Sequence, residues 1–441
     1  MWSENRLRHV AFGVVLPILL SPVSVLVLWF GLTGSSGNSL VTGALLTINT
    51  LAVGLLCFRR DLVFQPADCL FLALLLCIVS SSVSNGLTSN AREYELLVLS
   101  LVAYPACRFI SHVDVVSGRS SFTWAASIIV LLGAIVTATA LFEQWDDLHG
   151  KPIVFGFDAA ATHFLGLLSF LIIALVTTRE LTVRRTALVS ALIFLPTAIF
   201  AASLVRFTFI ALAGSLCLAI ILAEAKQRWH VVGVALVVLI AIAIGSIARY
   251  SSNAGKFFAN YAIKESTGNA ELVKRESAGD VEFVNRESAH DVELVKLPSC
   301  YLAVDLGNSI AIRKMILRDA LGLIPSAGWI GGGLDSFMKL SCIKQTEVHN
   351  SILQAAVEFG WLGASLLFLL IVLAGSSILI AARHDGTSRF VLCSLAFIVL
   401  MSLAHGRVSR DAVLFAFLGC AVGLKETSPR CPKHKKKYLP A

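Results

Sequence analysis

Long apolar runs recur along this chain, each about as long as a bilayer is thick, and that repetition limits the fold more than any single motif. Residues 160–178, for example, contain no Asp, Glu, Lys or Arg. A hydrocarbon core needs roughly 20 apolar residues per helical crossing. Inside it every backbone N–H and C=O must bond within the protein, which leaves helices or closed barrels. The runs here are continuous instead of alternating, so an outer-membrane barrel is excluded. Twelve segments are read as spans, near 10–30, 38–57, 68–84, 94–110, 122–143, 160–178, 186–204, 207–223, 231–248, 352–382, 390–404 and 411–424. The first is read as a span and not as a cleaved signal, because no small-residue cleavage site is followed by a polar mature domain. Composition agrees: 56% of the 441 residues are hydrophobic and 15% charged, against about 25% charged in soluble domains. A soluble enzyme, a disordered chain and a collagen-like chain are ruled out. The expected fold is an all-α polytopic membrane protein of about twelve transmembrane helices, with a long, partly helical outer loop between helices 9 and 10.

The net charge of +8 belongs to topology and not to nucleic acid. With the N-terminus placed in the cytoplasm, the short cytoplasmic stretches carry 19 Lys plus Arg. The short outer loops carry five: Arg92, Lys151, Arg206, Arg407 and Arg410. This positive-inside bias puts both termini in the cytoplasm. Four regions result: helices 1–9 over 1–248, the outer loop over 249–351, helices 10–12 over 352–424, and a basic tail over 425–441. The tail, with Lys433 and Lys435 to Lys437, suits anionic lipid headgroups.

The long loop contains a repeat over 264–296. Glu265-Ser266, Glu276-Ser277 and Glu287-Ser288 recur every 11 residues, as do Glu271-Leu272-Val273, Glu282-Phe283-Val284 and Glu293-Leu294-Val295. Eleven residues make about three helical turns, so the apolar pairs share a stripe; a docking helix and a tolerated tandem duplication both fit. None of the ten cysteines forms a CxxC pair. Cys300 and Cys342 are placed outside the membrane, where a bridge and two free thiols are both open.

Chemistry is concentrated in residues 306–351 and the start of span ten. His349, in Glu347-Val348-His349-Asn350, sits where the outer loop enters that span. An imidazole with ordinary pKa near 6.5 is the natural general base at neutral pH, although an interfacial helix cap uses the same residue. Glu358 is nine residues on, across the helix, and is either a functional carboxylate or a hydrogen-bonded lock. Arg206 interrupts two apolar runs at the outer face, against the charge bias. It either snorkels to lipid phosphate or binds the phosphate of a substrate. Arg313 and Arg318 lie on a rough amphipathic helix, five residues apart. Gly331-Gly332-Gly333 reads as a glycine turn beneath a site. No Walker motif, HExxH, GxSxG or outward DxD pair occurs near His349.

These pieces together resemble the O-antigen ligase family of bacterial envelope glycosyltransferases, with its relatives the O-antigen polymerases and O-oligosaccharyltransferases. The resemblance rests on His349-Asn350-x-x-Leu353-Gln354-x-x-x-Glu358-x-Gly360-x-x-Gly363, preceded by Arg313 and by Gly331-x-Gly333-x-x-x-Phe337. The long outer loop after span nine agrees with it. The residue before Arg206 is Val205, where family members often have Ser, and the 11-residue repeats are foreign to the pattern. The resemblance implies a GT-C-like fold in the bacterial inner membrane. It implies a donor glycan on a polyprenyl diphosphate, an acceptor sugar hydroxyl on lipid A–core or another glycan, and no metal or other cofactor. His349 would orient or deprotonate the acceptor, and Arg313 and Arg206 would hold the diphosphate as its charge develops. Arg318, Asn350, Gly331, Gly333 and Glu358 are the expected substrate-binding positions. Membrane lipids are the other expected partners.

A polymerase of the same superfamily is the nearest alternative. A transporter or flippase is the alternative of another class. It is disfavoured because the two halves of the chain do not echo each other and because the candidate residues gather at the outer face.

Overall fold

In a computed structural model of the chain, the described residues are 63–86, 91–110, 112–145, 151–156, 160–178, 180–250, 309–341 and 347–427. The spans expected at 10–30 and 38–57, the 11-residue repeats, Cys300, Cys342 and residues 428–441 of the basic tail lie outside them. Thirteen α-helices account for nearly all that is described: α1 Pro66–Asn85, α2 Ala91–Arg108, α3 His112–Glu143, α4 Ala160–Thr177, α5 Val183–Ala202, α6 Phe207–Leu222, α7 Ala225–Tyr250, α8 Ser309–Ala327, α9 Ser336–Leu340, α10 Ser351–Glu358, α11 Gly360–His384, α12 Gly386–His405 and α13 Ala412–Thr427. Seven helices, α1, α3, α4, α5, α7, α11 and α12, are long and apolar enough to cross a membrane. The shorter apolar helix α6 adds to them. The fold is therefore an all-helical, multi-pass membrane protein.

α4 is apolar all round, as a helix surrounded by other helices must be. Fifteen of its eighteen residues are buried, and it packs on α3, α5, α6 and α12. Its Phe164 ring fills the space a side chain at Gly133 of α3 would need, 2.4 Å from an ideal Cβ there. Phe170 stacks on Phe417 at a centroid distance of 5.3 Å and meets Phe397 edge-on at 5.1 Å. Outer helices instead turn leucine, isoleucine and valine outward: Leu236, Leu239, Ile240, Ile244 and Ile247 of α7 are all exposed. In a bilayer that surface faces lipid.

The two ends of the bundle are tied by different polar clusters. At one end Arg108 of α2 bonds Asp68 of α1 at 3.1 Å and Glu426 of α13, while Tyr104 donates to Asp68 at 2.8 Å. At the other end lie the termini that bear His349, Arg206, Arg407 and Glu93.

One expected span is divided. The run 352–382 forms two helices, α10 and α11, broken at Phe359–Gly360. Gly360 has φ +74. The last carbonyls of α10 are taken by the glycine turn: Gly332 N–H donates to Val357 O at 3.0 Å and Gly333 N–H to Glu358 O at 2.9 Å. In return Trp361 N–H donates to Gly328 O at 3.0 Å. Partners outside the helix thus satisfy groups that a helix end leaves open. The crossing is so close that an ideal Cβ on Gly331 (φ +76) would lie 2.4 Å from the Glu358 carbonyl. Gly331→Ala is expected to destabilise by about 2–5 kcal/mol, combining the left-handed backbone with overpacking. Gly322→Ala, with nothing within 4 Å of its Cβ, should leave the protein unchanged. Thermal unfolding in detergent checks both.

Candidate active site at the helix ends

His349 is the second residue before α10, and the chain around it is pinned on both sides. Asn350 caps α10, its side-chain oxygen accepting from Ile352 and Leu353 N–H at 3.0 Å each. The same side chain donates to Leu403 O at 2.9 Å, in the last turn of α12. His349 is thereby laid against the end of α12, where His405 stands, and the two rings are 6.0 Å apart and inclined at 66°. Phe207 also packs on His405, edge-on at 5.5 Å. Both imidazoles are half-buried. Among the described residues no hydrogen bond engages either ring.

Charge surrounds the pair. The positive charge of Arg313, on the exposed side of α8, bears on both histidines, and that of Lys151 bears on His405. Burial first, and Arg313 second, lower the pKa of His349 below the ordinary 6.5, while Glu347 opposes them. A neutral imidazole at neutral pH is the form that can accept a proton.

Arg206 closes the short turn between α5 and α6. Leu204, at φ +59, makes that turn possible in few residues. The Arg206 guanidinium donates to the Tyr250 hydroxyl and lies 5.8 Å from the centre of its ring. It neighbours His405 through Phe207, the next residue in sequence. Of the other expected positions, Arg318 is exposed on α8. Gly331 and Gly333 support the backbone of α10. Glu358 is buried, its carboxylate accepting from Gln354 at 2.9 Å, and the Gln354 carbonyl in turn accepts from Val408 N–H at 2.8 Å.

Beneath the histidines is a cluster that the sequence reading passed over. Arg407, 4% exposed, bonds Asp335 and Glu347 and lies 3.3 Å from Glu93. Arg410 shares two of these partners, Glu93 at 2.7 Å and Glu347 at 3.2 Å. Ser409 adds a bond to Glu93 at 2.9 Å. Asp411 accepts from Ser351 of α10 and Ser402 of α12. Five segments are joined by one set of charges: the start of α2, the glycine turn, residue 347, the turn after α12, and the start of α10. Arg407 and Arg410 stand out in sequence only as outer-loop cations. His405 stands out only as a polar residue ending a span. Among the described residues, no three His, Cys, Asp or Glu side chains converge to hold a metal ion.

The fold defines a polytopic membrane protein, with histidines and arginines gathered into a candidate site at one end of its helices. Residues 191–368 match the model of the family described as O-antigen ligase. The match runs from α5 into α11 and contains Arg206, Arg313, the glycine turn, His349 and Glu358. Lys151, Glu93, His405, Arg407 and Arg410 lie outside it. We find no match among curated proteins or solved structures.

Proposed function

We propose that the chain transfers a glycan from a polyprenyl diphosphate to a sugar hydroxyl of lipid A–core, at the outer face of the bacterial inner membrane. The observation that carries this reading is His349: a half-buried, preferentially neutral imidazole whose ring is not committed to the protein, beside the cation of Arg313. The acceptor oxygen attacks the anomeric carbon as His349 takes its proton. The bond from that carbon to the diphosphate breaks, and the departing charge is met by Arg313 and Arg206. Guanidinium groups suit this because their donors match phosphate oxygens in pairs. Asn350 acts through position, by holding His349 against α12. The family match supports the superfamily, and the positive-inside count supports the outward placement.

A polymerase uses the same chemistry with a second lipid-linked glycan as acceptor. Glycolipid analysis of the native host with the gene deleted, then restored, separates the readings. Long glycan stranded on polyprenyl diphosphate beside bare lipid A–core marks a ligase. Core carrying a single repeat unit marks a polymerase. No change in any glycan pool of a strain that makes them overturns both.

Arg313→Ala is expected to raise the donor KM about 10-fold or more, the loss of one charge-assisted contact, and to leave the acceptor KM within about 2-fold. Equal loss toward both substrates would remove Arg313 from the diphosphate.

A further inference from the structure

We propose that His405 is a second imidazole of the reacting site, holding the attacking sugar hydroxyl jointly with His349. This rests on the transfer reading above and adds a residue outside the matched family region.

Three observations point the same way. The rings of His349 and His405 meet edge-on, their centroids 6.0 Å apart and their planes inclined at 66°. We place one hydroxyl oxygen within hydrogen-bond reach, about 2.8–3.0 Å, of a nitrogen of each ring. The arrangement is held by backbone and not by chance contact, since Asn350 donates to Leu403 O two residues before His405, and Phe207 backs the His405 ring at 5.5 Å and 88°. Finally, a half-buried imidazole can pair with the protein or with an incoming group. Among the described residues neither imidazole makes a hydrogen bond, and both lie in the field of Arg313. Two neighbouring imidazoles without hydrogen-bond partners among the described residues, in the field of Arg313, fit a hydroxyl acceptor.

The step is balanced with one proton. His405, neutral, donates its N–H to a lone pair of the attacking oxygen, which directs another lone pair at the anomeric carbon. His349 accepts the hydroxyl proton as the new carbon–oxygen bond forms. The electrons of the breaking bond leave on the diphosphate. His349 then returns its proton to water at the open face.

If His405 were only an aromatic packed between Phe207 and His349, phenylalanine would serve as well. The test therefore compares His405→Phe, which keeps the ring contacts and loses the nitrogens, with His405→Gln, which keeps a hydrogen-bonding group. The protein is assayed in lipid nanodiscs with the host's polyprenyl-diphosphate glycan as donor and its lipid A–core as acceptor. His405→Phe is expected to lose about 10- to 100-fold in kcat/KM for the acceptor, the range of one hydrogen bond to a group gaining charge. Its donor KM should stay within about 2-fold, and His405→Gln should recover part of the loss. Wild-type acceptor kinetics in His405→Phe, or a loss confined to the donor KM, overturn the proposal. Should His405→Phe not accumulate, the acceptor kinetics of His405→Gln decide: a value equal to wild type overturns it. A wild-type protein inactive on this substrate pair fails the transfer reading instead.

Discussion

His349→Ala is expected to abolish glycan transfer while the protein still inserts and accumulates. General-base catalysis by a positioned side chain contributes about 10²–10⁴-fold, enough to take transfer in cells below detection. The fold does not depend on this ring: among the described residues it makes no hydrogen bond, and Asn350, not His349, caps α10. Loss of transfer at normal abundance, read from glycolipid blots and membrane protein level together, is the expected result. Retained transfer would remove His349 from the chemistry. The pH profile adds a second readout. Burial and Arg313 lower the His349 pKa, so the neutral form persists below pH 6.5 and the acid limb of kcat/KM should have its midpoint below that value. Glu347 opposes this shift, so Glu347→Gln should move the limb further toward acid. The charged and titratable groups near the ring are Arg313 from α8, Glu347 from its own segment and His405 from α12. A limb that stayed in place would show that the titrating group is not His349.

Arg407→Ala should destabilise the protein by about 3–5 kcal/mol, the range for removing one partner of a buried ion pair. Glu93 and Asp335 have side chains 3% and 4% exposed. Without Arg407 the Asp335 carboxylate loses a buried cation in a place water scarcely reaches, whereas Glu93 keeps Arg410. Glu347, at 28% exposure, can turn toward water and adds less. Arg407→Lys keeps the charge but not the fork that reaches several carboxylates at once, and should fall between the two. Thermal unfolding of the solubilised protein reads both variants. A melting temperature for Arg407→Ala equal to wild type would show that the cluster does not hold these segments together.

The membrane class and its helices were legible because a bilayer demands long apolar runs. Ten of the twelve expected spans fall on described helices, seven of which are long and apolar enough to cross a membrane, and α3 begins ten residues ahead of its expected span. In the sequence His349 and Arg313 stand out through their motif, and Arg206 through charge placed against the positive-inside bias. Residues 352–382 show where that reading stopped: apolar content alone does not reveal a helix break. The break at Phe359–Gly360 exists because another segment, the glycine turn, approaches within a distance only glycine permits. Arg407 and Glu93 are 314 positions apart in sequence, so no local pattern joins them.

Sequence by itself therefore determined what the solvent imposes: which stretches enter lipid, which loops carry charge, and which motif resembles an O-antigen ligase. Tertiary structure decided what depends on distant segments meeting. It set His405 against His349, joined Arg407 to three carboxylates from three segments, and used the glycine turn to end α10. Burial in lipid is a property of each residue and its neighbours along the chain. A hydrogen bond or ion pair depends on distance in space, which only the packed helices supply.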